Sequence, residues 1–174
     1  MKCLGLDIAS ATGAAVDHPD GTRPICTTFH LPDVGGPDDH GPRLEKFEEW
    51  LCDQLDMHDP AFVAYEAPLV PHGNMKTTAS TALLLIKLVG VAELVAARYG
   101  CRRKPVNVAT VKKFWTGHGR AEKDAMIARC AQLRWPIRND HEADASAVWA
   151  WCKSITNPMF APMATPLFAP ARSA

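Results

Sequence analysis

The sequence predicts an α/β domain built on a central mixed sheet of five strands, three antiparallel ones first and then parallel ones, flanked by helices. Three observations carry this prediction. Short apolar or β-branched runs bounded by turn residues crowd the first 30 positions. Apolar residues then recur at helical spacing in segments that alternate with short strands. The 174 residues, 47% hydrophobic and 22% charged, are enough to bury one core.

Lys2–Ile8 reads as the first strand. Gly13–Asp17 is the second, after the turn Ser10-Ala11-Thr12-Gly13, and Pro24–His30 is the third, as in an antiparallel meander. Residues 31–42, dense in Pro, Gly and Asp, form a loop. Leu44, Phe47, Leu51 and Leu55 predict a helix over Pro42–Met57. Ala61–Tyr65 is a short strand between Pro60 and Pro68, and Thr77–Tyr99 is a long apolar helix closed by Gly100. Lys104–Val108 is the fifth strand. Helices Thr110–Trp115 and Ala121–Leu133 flank Gly117-His118-Gly119, and a last helix spans His141–Lys153, with Asn139 and Asp140 as capping candidates. The domain takes residues 1–156. In the tail, 157–174, Pro158, Pro162, Pro166 and Pro170 preclude a stable helix.

Composition removes some function classes. No run approaches the roughly 18 apolar residues of a membrane span, and the chain opens into a strand with no basic leader. A cytoplasmic protein with no membrane partner is expected. The six cysteines, at 3, 26, 52, 101, 130 and 152, form no C-x-x-C pair and read as reduced core thiols. Net charge is zero, but residues 1–66 carry 4 basic against 13 acidic side chains and residues 101–138 carry 10 against 2. One basic segment in a neutral chain suits a face that binds a polyanion, or one that neutralises the acidic half.

Three acids stand where a carboxylate is costly without a task. Asp7 lies between Leu6 and Ile8, Glu66 ends the strand Phe62-Val63-Ala64-Tyr65, and Asp144 opens the apolar part of the last helix. Converging carboxylates make a hard-oxygen site for Mg²⁺ or Mn²⁺, and two such ions can drive phosphodiester cleavage. His141 shares a helix face with Asp144 at i, i+3. Asp140, at i−4, shares that face too and is an alternative fourth ligand or a cap.

The segment Leu4-Gly5-Leu6-Asp7-Ile8-Ala9-Ser10-Ala11-Thr12-Gly13 resembles the first motif of the RuvC-like Holliday-junction resolvases, in the RNase H-like superfamily. Val63-Ala64-Tyr65-Glu66 resembles the second motif, and His141-Glu142-Ala143-Asp144-Ala145 the third. Lys112 and Lys123, either side of the glycine turn, match the family's basic stretch, and the resemblance covers residues 3–153. It implies an RNase H-like fold and an endonuclease holding two Mg²⁺ or Mn²⁺ ions on Asp7, Glu66, His141 and Asp144, with Lys123 at the chemistry. It also implies a homodimer that cuts two strands of a four-way junction. Lys112, Lys113, Arg120, Lys123, Ser10 and Thr12 are the expected nucleic-acid contacts. The chain departs from the family after Glu66: residues 67–74 hold no Phe or Tyr to stack on bases, which leaves Leu69 or His72 as wedge candidates.

Other functions remain open at this point. Flaps, forks or RNA-containing substrates fit the same chemistry. An actin-like phosphotransferase fits the first motif, but the chain is short for two paired domains and shows no second phosphate loop. A non-catalytic DNA-binding scaffold ranks low, because all four candidate ligands are chemically competent.

Overall fold

The computed structural model describes residues 1–36, 39–68, 78–157 and 159–160. Its element order is β1 (Cys3–Asp7), β2 (Ala11–Asp17), β3 (Pro24–His30), α1 (Gly41–His58), β4 (Phe62–Glu66), α2 (Ala79–Arg98), β5 (Arg102–Val106), α3 (Val108–Thr116), α4 (Lys123–Gln132) and α5 (Asp140–Thr156). The strands lie in the order β3-β2-β1-β4-β5. β1, β2 and β3 pair antiparallel, while β1–β4 and β4–β5 pair parallel. This is the expected mixed sheet.

Side-chain alternation along the strands divides the core into two layers. Leu4 and Leu6 of β1, Ala14 and Val16 of β2, and Val63 and Tyr65 of β4 face a layer closed by α1 and α2. Cys3, Ala15, Phe62, Ala64 and Val106 face the opposite layer, closed by α3, α4 and α5. Trp115, Trp135 and Trp149 chain their rings through that second layer at centroid distances of 5.3 and 5.5 Å. Trp115 and Trp149 are therefore core residues. Trp151 is half-buried, with the Lys104 ammonium 5.8 Å from its ring centre.

α5 lies directly on the first two strands because the sequence removes bulk there. Its inner face is small: Ala143, Ala145, Ser146 and Ala147 are all fully buried. Opposite it, Gly5 and Gly13 leave the strand backbone bare, and a Cβ on either would collide with the main chain of Trp149 or His141. At the far end of the helix Asp17 accepts from Trp149 Nε1 at 2.7 Å and from Lys153 Nζ at 2.5 Å.

Several boundaries differ from the sequence reading, for local reasons. β5 begins two residues early and ends at Val106, because Asn107 caps α3 by accepting from the Ala109 N–H. Asn139, not Asp140, caps α5, its side chain accepting from the Glu142 N–H at 2.9 Å. α2 also corrects the membrane reading, since its 20 residues are long and apolar enough for a span by length and composition, with mean hydropathy 1.9. One face of α2, including Leu84, Leu88, Ala92 and Val95, is buried against the sheet and α1. All six cysteines are free thiols.

Candidate active site

Strand parity and register bring two of the predicted acids together. Leu6 pairs with Tyr65, so Asp7 and Glu66 end neighbouring parallel strands side by side. Both residues alternate with side chains of the α1–α2 layer, so both turn toward α5. The first turns of α5 supply His141 and Asp144 to the same place. His141 Nδ1 lies 3.1 Å from Asp7 Oδ2, across 134 residues of chain.

Burial and neighbouring charge perturb all three carboxyls. Burial, and then the charges of Asp7 and Asp144, push the Glu66 carboxyl up to about 8. Burial and then Asp7 raise Asp144 to about 6. Burial also raises Asp7, against the hydrogen bond from His141. Burial in a partly dry pocket, with Asp7 acting on Glu66 and Asp144, disfavours ionisation there, the condition under which a cation binds. Lys112 opposes the shift on both Glu66 and Asp144.

The basic residues divide by role. Lys112 Nζ donates to the Ala121 carbonyl at 2.7 Å, which ties α3 to the turn before α4 and holds the ammonium near the acids. Lys123 is 68% exposed and forms an ion pair with Asp140. That pair lowers the Asp140 carboxyl and occupies the alternative ligand. Lys113, Arg120 and Ser10 are exposed. Thr12 corrects an expectation: it is fully buried, and its hydroxyl donates to the Ala9 carbonyl at 2.7 Å. It shapes the β1–β2 turn instead of meeting a nucleic acid, because a short side chain that closes a tight turn points back into it.

The donor set of three carboxylates and an imidazole suits Mg²⁺ or Mn²⁺. Among the described residues no three such side chains already surround one point at ligand spacing; Asp7 leans on His141 and Asp140 on Lys123. Leu69 and His72 lie outside the described residues. Sequence reasoning missed the burial of Glu142, which is 1% exposed. The one available signal was Arg138 four residues before it.

Comparison with known proteins adds the family. No family model matches the chain. The crossover junction endodeoxyribonuclease RuvC of Koribacter versatilis is 31% identical over 153 residues, covering 85% of this chain and 89% of the relative. This chain belongs to the RuvC family. The RuvC of Streptomyces coelicolor is 36% identical, over 85% of this chain and 79% of its own length. That of Streptomyces griseus matches at 36% over 62% of this chain, and the chain spans about half (52%) of that relative's length. Thermus thermophilus RuvC superimposes with a TM-score of 0.67 over 90% of this chain and 96% of its own at 19% identity, which shows the RNase H-like fold. In this RuvC-family chain the three acids stand on β1, β4 and α5 of that fold.

Proposed function

We propose that this chain is a metal-dependent endonuclease that resolves four-way DNA junctions by paired nicks. One observation carries the reading. Asp7 and Glu66 end adjacent parallel strands beside the first turns of α5, which carry Asp144, and burial, then the charges of Asp7 and Asp144, push the Glu66 carboxyl up to about 8. The relatives carry the name crossover junction endodeoxyribonuclease, and the Thermus thermophilus enzyme has been solved with a Holliday junction substrate. We place the nuclease in residues 1–156 and the protein in the cytoplasm; the tail 157–174 follows the domain, and its Phe160 packs into the core with its ring 5.3 Å from that of Trp149.

Asp7, Glu66 and Asp144 would hold two divalent ions, with His141 as the fourth donor. Bound there, the ions would supply Lewis acidity to the attacking water and to the leaving oxygen. The residues do the rest. Asp7 and Glu66 fix the site to adjacent strand ends, which move little. The His141 ring is anchored to Asp7 through Nδ1, which fixes its plane beside the acids. Lys123, at the rim, is placed to meet the phosphate. Lys113 and Arg120 extend the basic surface along the backbone of the arms, where contacts carry affinity without sequence information.

Two nicks need two sites, and α2 offers the surface that pairs them. Leu83, Ile86 and Leu94 are 49%, 43% and 50% exposed along one stripe of the helix, and Gly90 between them meets nothing. A second copy of the helix fits against that bare backbone, as small residues allow close helix approach.

A flap or fork substrate is the second reading, favoured by the absence of Phe and Tyr from residues 67–74. One experiment separates the two. A labelled four-way junction, a flap and a linear duplex are each incubated with the protein in Mg²⁺ and in Mn²⁺, alongside Asp7→Asn. Symmetric paired nicks in the junction alone, lost in the variant, are expected. Equal cutting of flap and junction would remove the resolvase reading.

A further inference from the structure

Two different devices seat α5 on the sheet. Gly5 and Gly13 set how closely the helix approaches. They do not by themselves set its rotation about its own axis, which decides where His141 and Asp144 point. Asp17 holds that rotation at the far end through Trp149 and Lys153, and at the near end a residue between the two ligands in sequence does so.

Glu142 is 1% exposed, so its charge is buried in the first turn of α5. Its carboxylate accepts from the Arg138 main-chain N–H at 2.7 Å and from Arg138 Nε at 2.8 Å, and forms an ion pair with Arg138 Nη2 at 2.6 Å. The Thr28 hydroxyl on β3 donates to it at 3.3 Å. Asn139, the helix cap, donates to that same hydroxyl at 3.0 Å, and Arg138 Nη2 reaches the Cys26 carbonyl at 3.3 Å. The network therefore joins the helix start to the edge strand on the side of α5 away from Asp7.

A cap or a favourable interaction with the helix dipole does not require burial. Asn139 already caps the helix, and an exposed acid in the first turn would serve the dipole. A buried carboxylate is costly to desolvate and tolerates only the orientation in which all its donors are met. Burial thus supplies a fixed rotation.

We propose that Glu142 is a positioning residue for the metal site: clamped by Arg138 and Thr28, it fixes the rotation of α5 so that His141 and Asp144 face Asp7 and Glu66. This rests on the nuclease reading of that site. Side chains that orient metal ligands from behind typically change metal affinity by about 10–100-fold when lost.

The test uses the full chain without DNA first. Mn²⁺ affinity is measured by calorimetry for the wild type, Glu142→Gln and Thr28→Val, and the His141 ring signals are recorded by NMR in the metal-free proteins. Glu142→Gln is expected to weaken Mn²⁺ binding about 10-fold and to shift the His141 signals. It should lower the cleavage rate at saturating junction while junction affinity stays within about 2-fold. Thr28→Val, which removes one donor and leaves the ion pair, should give a smaller change in the same direction, and it carries the test if Glu142→Gln does not fold. A folded variant with wild-type Mn²⁺ affinity and unchanged His141 signals would overturn the positioning role while leaving the nuclease reading intact. A wild type that neither binds Mn²⁺ nor cuts would overturn both.

Discussion

Gly13 and His141 touch through their main chains: the His141 carbonyl fills the space that a side chain on Gly13 would take. Gly13 pairs with Asp7 across β1 and β2, so this contact lies beside the first acid. Gly13→Ala should therefore push the start of α5 off the sheet. Junction cleavage is expected to fall at least 10-fold while circular dichroism stays near native, because a misplacement of about 1 Å can cost on the order of 10²-fold. Full activity would show that the helix start is free to shift.

Each acid can be tested by isosteric amides. Asp7→Asn, Glu66→Gln and Asp144→Asn should each lower the cleavage rate by roughly 10³-fold, since each removes a charge that would hold the proposed ions. Junction binding in the absence of divalent ions should hold or tighten, because removing a negative charge lessens repulsion of the phosphates. Single-turnover rates and gel shifts would read the two effects separately.

The raised carboxyls also set a pH dependence of stability. The folded chain keeps a proton on Glu66 up to about pH 8, whereas an unperturbed glutamate releases it near 4.5. Between those values the native state binds more protons than the unfolded state, so the metal-free protein should lose stability as pH rises from about 4.5 to 8. Asp144, raised to about 6, adds to the lower part of that window. Glu66→Gln should raise the metal-free melting temperature at pH 8 by roughly 5 °C. Millimolar Mg²⁺ should stabilise the wild type more than this variant. A flat pH profile would mean that the acids do not interact as placed.

The stripe on α2 makes a separate prediction. Leu94→Glu or Gly90→Leu should convert a dimer to monomers by light scattering, since each puts charge or bulk where a second helix would lie. Paired nicking should become single nicking. A wild type that is monomeric at micromolar concentration would move the pairing surface elsewhere.

Lys113 and Arg120 should act through phosphates alone. Replacing both with Ala should weaken binding to junction and duplex alike and reduce the salt dependence by about two charges. A change confined to the junction would instead place them at its crossover.

The strand acids were legible in the sequence because an acid in an apolar run has few structural uses, and strand alternation carries Asp7 and Glu66 to one face without further information. Asp144 stood out as an acid opening an apolar helix, and His141 followed from the resemblance to the family's third motif, with helical spacing putting the two on one face. Thr12 was misread, and the burial of Glu142 was not foreseen. The Thr12 hydroxyl turns back on the Ala9 carbonyl three residues earlier, while Glu142 is clamped by Arg138 four residues earlier and by Thr28 on the distant strand β3. Spacing permits such contacts without showing that they bury the side chain. The start of β5 was misplaced because its exposed Arg102-Arg103-Lys104 run lacks the apolar pattern by which a strand is recognised.

The seating of α5 on β1 and β2 joins the last helix to the first strands, and Lys153 even reaches the Met1 carbonyl at 3.1 Å. His141 and Asp144 therefore arrive with the last helix, after β1 to α4 have been synthesised. A chain still emerging from the ribosome, or one cut before residue 140, holds Asp7 and Glu66 but cannot assemble the centre. On the proposed site, the order of synthesis itself withholds two of the four metal donors until the last helix is made.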